Sequence, residues 1–169
     1  MKNISKITLA SSIAFSSVLG LSFVNSGDSH IEAEAAQTPY YNYEGYAGND
    51  SSFLLDKEFM NGIKYNNLTF NGIKVTDNTG NDRLTKYDQS FSGVSENHKS
   101  ANSVDFNVKD QLTVQQLKNA YGSSLIKMKT HENSNDIYVY RPNNDIGVMF
   151  NTNNDNVTDV HIGYGGAGG

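Results

Sequence analysis

The 169-residue chain contains no cysteine and no tryptophan. Without cysteine there is no disulfide framework, no thiolate zinc site, no thiol nucleophile and no lipid-bearing cysteine of a lipoprotein. A basic excess is missing too. Thirteen Lys and Arg stand against 18 Asp and Glu, a formal net charge of −5, so the overall field does not draw the chain to polyanions. No G-x-S-x-G nucleophile motif occurs. No LPxTG-type sorting tail occurs either; the chain ends in "GYGGAGG".

What is present begins with a processing segment. Lys2 and Lys6 form a basic start, and "ITLASSIAFSSVLGLSFV" from Ile7 to Val24 is uncharged and apolar. Ala33-Glu34-Ala35 then supplies an A-x-A cleavage site. Five serines dilute the apolar run, which separates it from a membrane-spanning helix. Residues 1–35 are therefore expected to be a signal peptide. Residues 36–164 are expected to form a single secreted domain and 165–169 a flexible glycine-rich tail. Cleavage removes Lys2, Lys6, Asp28, Glu32 and Glu34. It leaves 11 basic and 15 acidic residues, a formal −4, and no membrane anchor.

Turn residues recur at intervals of about ten, the signature of many short strands. The clearest exception is "LTVQQLKNAYG". Thr113 and Gln116 make a capping box, Leu112 can staple onto Leu117, and Gly122 closes the end, predicting a helix over 114–121. Leu55, Phe59 and Ile63 recur at helical spacing and predict a second helix over about 54–65, capped by Ser51 or Ser52. Asn71-Gly72 between alternating apolar runs predicts a hairpin. "RLTKYDQSF" alternates Thr85, Tyr87, Gln89 and Phe91 and reads as one strand. "SVDFNVKD" buries Val104, Phe106 and Val108 on one face. Three strands joined by "PNND" and "TNNDN" complete a C-terminal meander. The expected class is α+β, with a mainly antiparallel sheet of short strands and two short helices.

"TPYYNYEGYAGND" carries four of the ten tyrosines. Tyr41 and Tyr43 share one face of a strand, Tyr40 the other, and a bulge at Gly45 would return Tyr46 to the side of Tyr41 and Tyr43. This strand is either a packed terminal strand or an aromatic contact area. His161 and Asp159 share a strand face, but no nucleophile accompanies them, so catalysis is not expected. Asn151, Asn153 and Asp155 have the spacing of half a calcium loop but lack its glycine and its glutamate, and they read as a turn. No cofactor, metal or small-molecule substrate is expected.

The strings "TPYYNYEGYAGN", "LDKEFMNGIKYNNLTFNGIKV", "KYDQSFSGVS" and "LKNAYGSSL", in this order, resemble the immunodominant staphylococcal antigen B family. The resemblance implies a secreted, cell-surface-associated, non-enzymatic antigen that binds extracellular nucleic acid or a host protein. Phosphate binding needs Lys and Arg, and an acidic chain must gather them locally. The candidates are Lys118, Lys127, Lys129 and Arg141, with Tyr138 and Tyr140 as stacking rings. The candidate protein contact is Tyr40, Tyr41, Tyr43 and Tyr46.

Overall fold

The computed structural model describes residues 38–77, 80–128 and 135–164. The expected signal peptide, the glycine-rich tail and Lys129 lie outside the described residues. The α+β class expected from the sequence is what forms, with two α-helices and two sheets among the described residues.

The smaller sheet contains β1 (Tyr41–Tyr43), β2 (Leu68–Phe70), β3 (Ile73–Val75) and β6 (Ser100–Ala101), in that order. β2 and β3 are the Asn-Gly hairpin, with Phe70 opposite Ile73. Asn71 at φ 50° and Gly72 at φ 80° make the left-handed turn this pair favours. β1 joins β2 in parallel, and β6 joins β3 in parallel.

The larger sheet is antiparallel throughout. Its strands are β4 (Asp82–Lys86), β5 (Gln89–Val94), β7 (Ser103–Asn107), β8 (Leu125–Lys127), β9 (Ile137–Tyr140), β10 (Ile146–Asn153) and β11 (Asn156–Tyr164). They run in the order β4-β5-β7-β11-β10-β9-β8. β9, β10 and β11 are the expected meander. Asn154 and Asp155, both at positive φ, form the tight turn expected of "NTNNDN".

The expected single strand through Tyr87 is instead a hairpin. Lys86 pairs directly with Gln89, and Tyr87 sits at φ 57° in a two-residue turn with Asp88. Asp88 explains the reversal. Its carboxylate accepts hydrogen bonds from the backbone N–H groups of Ala47 (2.9 Å) and Gly48 (3.0 Å), which requires it to leave the strand.

Helix α2 (Val114–Tyr121) forms over the expected residues with its capping box intact. The expected helix over 54–65 divides in two. A 3-10 turn over Ser52–Leu55 precedes α1 (Lys57–Lys64), and Asp56 between them is extended at ψ 140°. Ser51 does not cap a helix with its side chain; its hydroxyl donates to Asp110 at 2.6 Å. The division lets both pieces fill the core, Phe53 and Leu54 from the turn and Phe59 and Ile63 from α1.

Both sheets feed one hydrophobic cluster. On one side Phe53, Phe59, Phe70 and Phe106 meet ring to ring. On the other, Tyr121 of α2 packs on Tyr140 and Phe150. Among the described residues, no helix is long and apolar enough to cross a membrane.

Candidate functional site

The tyrosines of "TPYYNYEGYAGND" divide into two sets. Tyr41 and Tyr43 share a face, as strand alternation dictates, and both rings lie against Phe53. Tyr43 is buried and Tyr41 half-buried. Burial raises both phenols above the ordinary tyrosine range, with Asp56 adding at Tyr41 and Asp50 at Tyr43, which is pushed up to about 12. These two are packing residues. Tyr40 and Tyr46 are exposed. No bulge returns Tyr46 to the strand face; β1 ends at Tyr43, and Tyr46 stands on the loop beyond it.

Tyr46 meets Tyr87, which the sequence reading placed in a strand and in no site. The two rings are 5.0 Å apart at 80°, edge to face, and each residue is about half exposed, 52% and 53%. Single exposed rings are ordinary on a protein surface; here two exposed rings meet, and the backbone beneath them is held by side-chain hydrogen bonds. Asn71 accepts from the Gly45 N–H (2.7 Å) and donates to the Gly45 carbonyl, and Gln89 donates to that carbonyl as well. Asn71 and Gln89 are buried and bonded to each other at 2.6 Å. Tyr43 donates its hydroxyl to the Tyr46 carbonyl. After Tyr46 the chain dives inward: Ala47 and Gly48 are buried on Asp88, and a Cβ on Gly48 would lie 1.9 Å from the Asn107 carbonyl oxygen. Tyr87 is itself held in the left-handed region, a costly place for a bulky residue.

The basic candidates do not assemble as one face. Lys127 lies directly across from Tyr138 and so points to the α2 side of the sheet. Lys118 places its ammonium 5.8 Å from the Tyr138 ring on that same side. Lys127 is ion-paired with Asp136 at 2.6 Å, and this bond holds its ammonium above the usual lysine range. Arg141 lies instead over Gly147 on the opposite sheet face. The stacking role expected of Tyr138 and Tyr140 falls away: both are buried, at 4% and 8% exposure, with Lys118 over one ring and Tyr121 packed on the other.

His161 does not pair with Asp159. Its Nδ1 lies 2.6 Å from the Asp105 carboxylate, directly across the sheet on β7. Asp159 is taken by the Asn151 amide and the Thr158 hydroxyl. The residues opposite His161 are Asp105 and Met149; neither carries a hydroxyl that the imidazole could activate.

The fold and its surface define a class: a small two-sheet α+β protein that displays a pre-positioned aromatic pair. Within that class, the chain belongs to the immunodominant staphylococcal antigen B family, which it matches over residues 40–162. It is 38% identical over 168 residues to immunodominant staphylococcal antigen B of Staphylococcus aureus strains USA300 and COL, spanning 97% of this chain and 96% of each relative. No solved structure matches.

Proposed function

We propose that this chain is a secreted, non-enzymatic antigen that acts by binding, and that its contact area is the Tyr46–Tyr87 pair. The observation that carries this reading is the display of two half-exposed rings on a loop and a turn fixed from below by buried Asn71 and Gln89 and by half-buried Asp88. Tyrosine supplies large contact area with little side-chain entropy to lose, and rings held in place before contact lose less still. Secretion is supported by the expected signal peptide and agrees with the family's description as an antigen. A host-derived or surface protein suits such a patch, because aromatic residues are enriched where proteins meet.

A second reading places extracellular DNA or RNA on Lys118 and Lys127. It is favoured by their position on one sheet face, on either side of Tyr138. It is opposed by Asp136 on Lys127 and by the formal net charge of −4 that cleavage of the expected signal peptide leaves.

One experiment separates them. The purified protein is titrated onto immobilised plasma proteins and against single- and double-stranded DNA, at ~50 and ~200 mM salt, the range over which phosphate-driven binding collapses. Tyr46→Ala/Tyr87→Ala and Lys118→Ala/Lys127→Ala are run beside the wild type. Binding to plasma protein that tolerates salt and disappears in the tyrosine variant supports the aromatic contact. Binding to DNA that collapses with salt and disappears in the lysine variant supports the second reading and removes the first.

A further inference from the structure

A half-exposed tyrosine pair has a chemistry as well as a contact area. The chain has no cysteine and no tryptophan, so a one-electron oxidant meets no thiol and no indole and must draw on phenols. Four tyrosines are exposed enough to react readily, namely Tyr40, Tyr46, Tyr65 and Tyr87. Among the described ring contacts only Tyr46 and Tyr87 join two of these four, at 5.0 Å between centroids. The phenols of Tyr43 and Tyr121 are buried, and Tyr121 is engaged with the Leu54 carbonyl.

We propose that Tyr46 and Tyr87 form an oxidative cross-linking site, becoming an intramolecular dityrosine when the protein meets a peroxidase supplied with hydrogen peroxide. Each phenol surrenders one electron and its hydroxyl proton. The two phenoxyl radicals join through a new bond between their ortho carbons. Each ring then moves the displaced ortho hydrogen to its oxygen, which restores both phenols. The two hydrogen atoms lost in total reduce one hydrogen peroxide to two waters. The edge-to-face rings must turn to bring their ortho carbons together, and as half-exposed side chains they have rotamer freedom to do so. Holding both partners in place turns a second-order radical encounter into a first-order one.

The product is a covalent tie between the loop after β1 and the β4–β5 turn. Like a disulfide, it restricts the unfolded chain, and here it does so in a protein that has no cysteine.

The test treats dilute full-length protein with a haem peroxidase and hydrogen peroxide, and follows dityrosine fluorescence, intact mass and the joined peptides. The expected result is a monomer lighter by two hydrogens, with peptides carrying Tyr46 and Tyr87 linked. Its yield should not depend on protein concentration, and its thermal midpoint should rise. Tyr46→Phe and Tyr87→Phe should each abolish the monomeric cross-link, while Tyr40→Phe and Tyr65→Phe leave it in place. Cross-links found only in dimers, oxidation without cross-linking, or a monomeric link that survives Tyr87→Phe would each overturn the proposal. Phenylalanine keeps the ring, so these variants leave the aromatic contact of the binding reading in place, whereas the alanine variants remove it; the two ideas fail separately.

Discussion

Asn71 sits at φ 50° and still directs three side-chain hydrogen bonds, one accepted from the Gly45 N–H and two donated, to the Gly45 carbonyl and to Gln89. Few residue types tolerate that backbone and also offer both a donor and an acceptor. Asn71→Ala strands the Gly45 N–H and disfavours the turn, so it should cost about 3 kcal/mol in a denaturant titration. Asn71→Asp keeps the shape but cannot donate to Gln89, and should also lower the midpoint. The buried phenols give a second prediction at this scale. Below the ordinary phenol value of 10.0, Tyr43 is neutral in folded and unfolded chains alike. Above it the unfolded chain ionises first, because burial has raised the folded Tyr43 to about 12. The contribution of Tyr43 to stability should therefore be level up to pH 10 and fall from there until the folded Tyr43 itself ionises. Tyr43→Phe should flatten that fall, read as the alkaline slope of the thermal midpoint. An unchanged slope would mean that Tyr43 ionises freely in the fold.

At the scale of elements, Gly62 in the last turn of α1 gives a prediction against propensity. Alanine is the better helix former by about 1 kcal/mol, but a Cβ here would come within 2.7 Å of both the Leu68 Cδ2 and the Tyr41 Cβ. The glycine lets α1 lie directly on β1 and β2. Gly62→Ala should destabilise by about 1–3 kcal/mol through overpacking; a stabilised variant would show that the strands give way easily. Thr113→Ala breaks the capping box of α2 and should cost about 1 kcal/mol, seen as faster amide exchange in the first turn.

The same elements show what the sequence could disclose. α2, the β2–β3 hairpin and the meander carry their signals within a few residues: a cap with its reciprocal glutamine, an Asn-Gly pair, a period of two. The turn at Tyr87 carries no such signal, because Asp88 is drawn into it by backbone groups about forty residues earlier. The parallel pairing of β1 with β2 has no connecting turn to announce it. Alternation put Tyr138 and Tyr140 on one face, but only the arrival of α2 decides that this face is closed. Tyr46 was legible as an aromatic candidate; its difference from Tyr41 and Tyr43 depends on Phe53, and its partner Tyr87 on the missed hairpin. His161 shares a face with Asp159 as expected, yet its partner is set by β7, which only the sheet order brings alongside.

Over the whole molecule, the larger sheet consists of two runs of neighbours that are close in sequence. β4, β5 and β7 make one, and β8 to β11 the other. They meet along a single seam, where β7 pairs with β11 and Asp105 faces His161. The seam joins residues more than fifty positions apart, and the first run presents Val104 and Phe106 on a strand whose neighbour comes last in the chain. Such long-range closure sets the tempo of folding: refolding should take milliseconds to seconds rather than microseconds, by stopped-flow fluorescence of the tyrosines. A chain shortened to end at Asn153 would keep an unpaired edge at β7 and should associate, by light scattering, where the full chain stays dispersed. As the chain is synthesised from its first residue to its last, most of its residues must therefore wait, half-assembled and exposed, for the final strand to arrive and close the seam.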